Sequence, residues 1–325
     1  MKRLTRRDFI KTTASFVAAC GLTKVTGCSS STEPTETKPP SMPTRPFGKT
    51  GVNVRIFSLG GQAALEIPGQ EDLSGEIINR ALDLGVNYID TSAYYGQGLG
   101  QPGLSERNIG RAIQSRRQKV FVATKTLGRY YASAMADLEQ SLQNLQTDYV
   151  DLWQLHNVRT QSDLNAIFSP NGAYKALQEA KTEGTARFIG ISGHFDPNVL
   201  ASAITSYEFD AVLMALNAAD IHYKSFIENT LPLALERDMG IIAMKIPARG
   251  RMFREGGVET MKEALGYTLT HPVSTAIVGC STVEDVEENV KLAKNFEPFS
   301  DDEMRRLEDL TATYYRDAAF FKYEG

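Results

Sequence analysis

From about Arg45 onward, short apolar runs rich in β-branched residues alternate with stretches whose apolar positions recur every three to four residues. The runs fall at 54–59, 88–90, 120–124, 149–155, 188–191, 211–216, 241–246 and 275–278. Between them, Ile77, Ile78, Ala81, Leu82 and Leu84, and later Met135, Leu138, Leu142 and Leu145, each mark one buried helix face. Runs such as VFVA and GIIAM are apolar without alternation, as parallel strands covered on both faces are. Strand and helix alternating throughout predict a parallel sheet sheathed by helices. Eight such units fit either an open doubly wound sheet or a closed barrel. An open sheet would carry a GxGxxG turn after its first strand, and the turn here, Leu59-Gly60-Gly61-Gln62-Ala63-Ala64, lacks that spacing. The expected fold is therefore α/β, a single-domain (β/α)8 TIM barrel over 45–325. The stretch 300–315 opens with Ser-Asp-Asp and reads as an amphipathic helix on the outside of the barrel.

The residues before the barrel read differently. MKRLTRRDFIK sets Arg6 and Arg7 ahead of Phe9, Ile10 and Lys11, and an apolar run follows from Thr12 to Leu22. This resembles a twin-arginine export signal, read by a translocation machinery that moves folded proteins. The run is too short, and too interrupted by Lys11 and Lys24, to span a bilayer, which takes about 20 apolar residues. Val25-Thr26-Gly27-Cys28 resembles a lipobox, which implies a signal peptide over 1–27 and acylation of Cys28. Residues 28–44, rich in Ser, Thr and Pro, read as a flexible tether to a membrane surface. The expected location is the periplasm, as an exported, lipid-anchored protein.

Composition narrows the partners. In 325 residues, 42% are hydrophobic and 23% charged, enough for a full core around a barrel of about 250 residues. The formal charge of −4 gives no electrostatic reason for a nucleic-acid partner. The three cysteines, Cys20, Cys28 and Cys280, have no CxxC spacing, so neither a disulfide framework nor a structural metal is expected.

Chemically competent side chains gather at the ends of successive predicted strands: Asp90 and Tyr95 in YIDTSAYYG, Lys125 in VFVATK, His156 in YVDLWQLH and Ser192 in FIGISGH. Strand ends are where a barrel of this kind builds its active site. Singly, each has an ordinary structural explanation: a turn cap, a core aromatic, a solvated strand end, a buried histidine. Together they make a proton-donating group suited to carbonyl reduction. A phenol with a reference pKa of about 10 is a reluctant donor near neutrality. Lys125 would ease phenolate formation, Asp90 would hold Lys125 charged and oriented, and His156 would polarise the carbonyl.

The motifs GVNYIDTSAYYG, GLSERNIGRAI, VFVATK, DYVDLWQLH, FIGISG and AIVGCSTVEDVEENV resemble those of the aldo-keto reductase superfamily from Pro46 to the final helix. The resemblance implies a tetrad of Asp90, Tyr95, Lys125 and His156, the five-residue offset choosing Tyr95 over Tyr94. It implies nicotinamide contacts at Ser192, Gly193, Asn217, Met244 and Lys245. It also implies an adenosine-side segment of Gly279, Ser281, Thr282, Asp285, Glu288 and Asn289, in which the N-terminal N–H groups of a helix at Ser281 and Thr282 receive a phosphate. Three departures stand out. Where many relatives carry Ser-Asn this chain has Ser192-Gly193-His194, so one side-chain amide contact is missing, and Leu213 replaces a strand glutamine. Asp285 lies where relatives often have Arg or Gln, with Arg249, Arg251 and Arg254 able to offset its charge. NADP(H) is expected ahead of NAD(H), and a small carbonyl compound as substrate. Two other readings remain: a nucleotide-binding sensor or accessory protein with little turnover, and an enzyme that recycles a permanently bound nicotinamide cofactor.

Overall fold

A computed structural model of the chain describes residues 41–323, so the expected export signal, Cys28 and most of the tether lie outside the described residues. The described residues form ten strands: β1 Thr44–Pro46, β2 Asn53–Arg55, β3 Phe57–Gly60, β4 Tyr88–Asp90, β5 Phe121–Thr126, β6 Val150–Leu155, β7 Ala186–Gly193, β8 Ala211–Ala215, β9 Gly240–Met244 and β10 Thr275–Gly279. β3 to β10 pair in chain order, all parallel, and β10 returns beside β3 to close an eight-stranded barrel. The helices between them bury one face each, such as Ile77, Ile78 and Ala81 of the helix Glu71–Asp83. The (β/α)8 architecture expected from the alternation is the architecture found.

The run expected as one strand over 54–59 is divided. Val54 belongs to β2, which pairs antiparallel with β1, and the Ile56 N–H turns to Pro43 O at 3.1 Å before β3 begins. The cause is tertiary: the hairpin folds beneath the barrel and buries Phe47 and Val54 among the inward-facing side chains of the strands. Phe47 meets Phe121 edge-on at 5.2 Å, and Tyr88 stacks on Phe121 at 4.8 Å.

Above this aromatic floor the two-residue alternation of a strand sorts everything else. Tyr88 points inward on β4, so Asp90 is its next inward position; Phe121 and Ala123 point inward on β5, and Lys125 follows. Leu152 points inward on β6, followed by Gln154 and then His156 just past the strand end. The same parity that packs the floor therefore carries polar groups to the C-terminal rim.

Near the carboxyl end, Ser300 and Glu303 form a capping box on the helix Asp301–Thr311, which buries Met304 and Leu307 against the body. The helix does not continue along the outside to 315 as expected. From Tyr314 the chain turns across the ends of β7, β8 and β9, where Lys322 is buried against Asp220.

Candidate active site

Three adjacent strands deliver Asp90, Lys125 and His156 to one side of the rim. The turn after β4 brings Tyr95 to them: the Thr91 N–H bonds Ala123 O at 2.8 Å and the Tyr95 N–H bonds Ser92 O at 3.1 Å. Gly61 lets the loop after β3 close against this turn, because a Cβ there would stand 2.7 Å from Asp90 O and 2.6 Å from Ser105 Oγ. Lys125 Nζ donates to Asp90 Oδ2, to Thr91 O at 2.6 Å and to Tyr95 Oη at 3.3 Å, so each ammonium proton has a partner. Gln154 Nε2 donates to the other Asp90 oxygen at 3.3 Å. The His156 ring stands edge-on to that of Tyr95, 5.9 Å between centroids.

Ser92 sits against one nitrogen of the imidazole. Its Oγ accepts from the Tyr94 N–H at 3.3 Å and lies 3.2 Å from His156 Nδ1. With the serine proton on Nδ1, the neutral ring carries its own proton on Nε2. Tyr94 is directed elsewhere: its hydroxyl donates to Asp137 Oδ1 at 2.9 Å, and burial with that carboxylate pushes its pKa up to about 12.

Electrostatics separate the four groups. Burial pushes the His156 imidazole well below its ordinary value, and the Lys125 charge adds to the effect, so the ring is neutral. Burial opposes the charge on Lys125, yet the Asp90 carboxylate more than offsets it and holds the ammonium above the ordinary lysine range. For Tyr95 the sequence-based expectation needs correction. Lys125 does lower the phenol, but burial is the larger effect and the balance lies above the ordinary tyrosine value. The resting phenol keeps its proton, and an adjacent negative charge can draw it off.

The residues expected to contact nucleotide fall into two groups. Ser192, Gly193, Asn217, Met244 and Lys245 cluster at the ends of β7, β8 and β9. There Ser192 Oγ is engaged on both sides, donating to Leu155 O at 3.0 Å and accepting from the Asn157 N–H at 3.1 Å. Asn217 ties the chain after β8 to that after β9, Nδ2 donating to Lys245 O at 2.8 Å while Oδ1 accepts from the Ala219 N–H at 3.0 Å. Gly193 packs so closely that a Cβ would lie 2.8 Å from Val158 O. Two buried polar atoms beside them have no hydrogen-bond partner, Asn157 Oδ1 and His194 Nδ1. Asn157 Oδ1 is an acceptor that an amide N–H would satisfy, and the nicotinamide carboxamide carries such a group.

The second group follows β10. Gly279 is exposed, and Ser281 and Thr282 lead into the helix Val283–Lys294 as expected. Their N–H groups, expected to be open to a phosphate, are taken by the Asp285 carboxylate at 2.8 and 3.0 Å, and Thr282 Oγ1 caps in return. Asn289 is turned inward, donating to Cys280 Sγ at 3.6 Å, whereas Glu288 is exposed. Arg254 pairs with Asp317 at 2.7 Å, and Arg251 lies 3.8 Å from the same carboxylate and 4.2 Å from the Phe320 ring centroid. Among the described residues no group of three or more His, Cys, Asp or Glu side chains is placed to hold a metal, and no helix is long and apolar enough to cross a membrane.

Sequence reasoning missed Gln154, Ser92 and the carboxyl-terminal segment. A signal for Gln154 existed: it shares inward parity with Leu152 and His156. Nothing local marks the other two.

A closed parallel barrel with a buried Asp–Lys pair against a tyrosine at its C-terminal mouth defines a class of NAD(P)H-dependent oxidoreductases. The model of the aldo/keto reductase family matches residues 58–255. The chain belongs to that family. It is 30% identical over 303 residues to L-galactose dehydrogenase of Arabidopsis thaliana, covering 80% of this chain and 90% of the relative. Against L-glyceraldehyde 3-phosphate reductase of Escherichia coli O157:H7 identity is 24% over 327 residues, covering 80% and 90%. An aldo-keto reductase from Bacillus halodurans in its holo form superposes with a TM-score of 0.68 at 26% identity, over 83% of this chain and 96% of that one.

Proposed function

We propose that the chain reduces an aldehyde or ketone to an alcohol, with Tyr95 as the proton donor. One observation carries the reading: a single buried ammonium, Lys125 Nζ, bonds both the Asp90 carboxylate and the Tyr95 hydroxyl. A nicotinamide dinucleotide held at this mouth would supply the hydride for the carbonyl carbon. The His156 Nε2–H bonds the carbonyl oxygen and polarises it. Tyr95 Oη passes its proton to that oxygen as negative charge develops there, and Lys125 holds the phenolate left behind. Asp90, itself held by Gln154, keeps Lys125 charged and aimed.

Ser192, Gly193, Asn217, Met244 and Lys245 are proposed to frame the nicotinamide, with the unpartnered atoms of Asn157 and His194 supporting that placement. Gly279, Ser281, Thr282, Asp285, Glu288 and Asn289, with Arg251, are proposed for the adenosine side. NADP(H) is the proposed dinucleotide, with the Asp285 carboxylate the group that works against a 2′-phosphate. Residues 45–325 are the proposed catalytic domain, exported behind the signal 1–27 and held to a membrane through Cys28 and the tether 28–44. Steady-state NADPH oxidation with a panel of aldehydes and ketones tests the reading. Saturable oxidation is the expected result, and nucleotide binding without turnover on any carbonyl would favour an accessory role instead.

A further inference from the structure

Lys322 is fully buried. Its ammonium donates to the Asp220 carboxylate, to Tyr223 O at 2.8 Å and to Lys224 O at 3.0 Å. Asp220, also buried, accepts on its other oxygen from Ser225 Oγ at 3.0 Å and the Ile227 N–H at 2.9 Å. Two desolvated charges are tolerated only when their protons and lone pairs are matched, and here the loop after β8 matches them. The loop after β9 adds a second clamp. Arg254 pairs with Asp317, while the Tyr314 hydroxyl donates to Met252 O at 3.1 Å and accepts from the Val258 N–H at 2.9 Å.

Between these clamps, residues 314–323 cross the mouth at the ends of β7 to β9, opposite β4 and β5 in the ring. Phe321 stands edge-on to His194 at 5.6 Å and 5.8 Å from Lys245 Nζ, and Phe320 lies under Arg251. A carbonyl that takes a proton from Tyr95 must have its hydride donor within about 3–3.5 Å. On the proposed reaction the donor would lie beside Tyr95 on the side of the mouth that this segment crosses.

We infer that residues 314–323 are a strap over the bound nucleotide, bolted by the Lys322–Asp220 ion pair, and that opening the strap sets how slowly the nucleotide leaves. The inference rests on the proposed binding of a nicotinamide dinucleotide at this mouth. Covering segments act chiefly on dissociation. A matched buried pair cannot part without exposing two charges, so the strap opens as a unit. An enzyme that recycles one retained cofactor would need such a device.

The test follows bound NADPH fluorescence in the full-length protein after rapid mixing with excess NADP+. In the double variant Lys322→Met/Asp220→Asn, which strands neither charge, NADPH leaves at least ten-fold faster than from wild type, while the single-turnover rate of aldehyde reduction changes less than two-fold. Phe321→Ala, which keeps the bolt and removes the covering ring, speeds release at least three-fold even where the double variant folds poorly. Release within two-fold of wild type in folded variants overturns the strap alone. Wild-type protein that binds no NADPH overturns the proposed function and the strap together.

Discussion

Lys125 Nζ lies 3.3 Å from the Tyr95 hydroxyl oxygen, and it reaches that oxygen from a position locked by Asp90 and the Thr91 carbonyl. The ammonium is 5.0 Å from the Tyr95 ring centroid. It is placed to stabilise charge that appears on the oxygen, and burial keeps that charge from appearing until a reactant takes the proton.

Tyr95→Phe removes the proton donor and little else. Carbonyl reduction should fall about a thousand-fold or more, while NADPH affinity, read by fluorescence titration, stays within two-fold. Turnover close to wild type would remove Tyr95 from the proposed mechanism.

Lys125→Met leaves the Asp90 carboxylate buried and unpaired, which costs about 3–5 kcal/mol of stability as well as activity. The double variant Lys125→Met/Asp90→Asn should regain most of the lost thermal stability and none of the activity. Calorimetry beside an activity assay separates the two effects, and recovery of turnover in the double variant would contradict the role of the ammonium.

Reduction requires Tyr95 protonated and His156 neutral. The phenol is held above its ordinary value of about 10 and the imidazole below about 6.5. The kcat/KM for reduction should therefore be flat from about pH 6.5 to about pH 10. Stability behaves differently. His194, buried and near Lys245, is held down to about 3, so the unfolded chain takes up a proton on acidification before the folded one does. Folding free energy should drop as pH falls from about 6.5 toward 3, and His194→Gln should lessen that drop in denaturant titrations.

Asp285 completes a capping box with Thr282 on the helix that begins at Val283 and occupies the N–H groups of Ser281 and Thr282. Asp285→Ala should cost about 1 kcal/mol of stability and raise the ratio of NADPH to NADH affinity several-fold. An unchanged ratio, measured by titration with both nucleotides, would place the 2′-phosphate elsewhere.

Replacing Arg6 and Arg7 together by Lys should leave the protein in the cytoplasm. Fractionation of producing cells checks this, and normal export of the double variant would mean that the amino terminus is not a twin-arginine signal.

Two periodicities, both local properties of the backbone, made the barrel and the Asp90–Lys125–His156 rim legible before any contact was known. Strand–helix alternation specifies a parallel sheet sheathed by helices, and the missing GxGxxG turn favours closure. Two-residue alternation carries Asp90 above Tyr88 and Lys125 above Phe121, because side chains on a strand must leave it on opposite faces in turn. The five-residue step from Asp90 to Tyr95 lies beyond the strand and is read from the resemblance to the family's motif.

What each polar head meets is another matter, settled only when distant segments pack. Ser192 resembles a ligand contact in sequence and spends its hydroxyl on β6; Asp285 resembles a charge near a phosphate and caps its own helix. The strand expected over 54–59 breaks because Phe47 and Val54 plug the barrel floor. The balance on Tyr95 depends on burial, which no spacing encodes. Lys322 finds Asp220 across 102 positions, a pairing that exists only because the barrel brings the β8 loop and the chain end to the same mouth, where desolvation makes any unmatched charge costly.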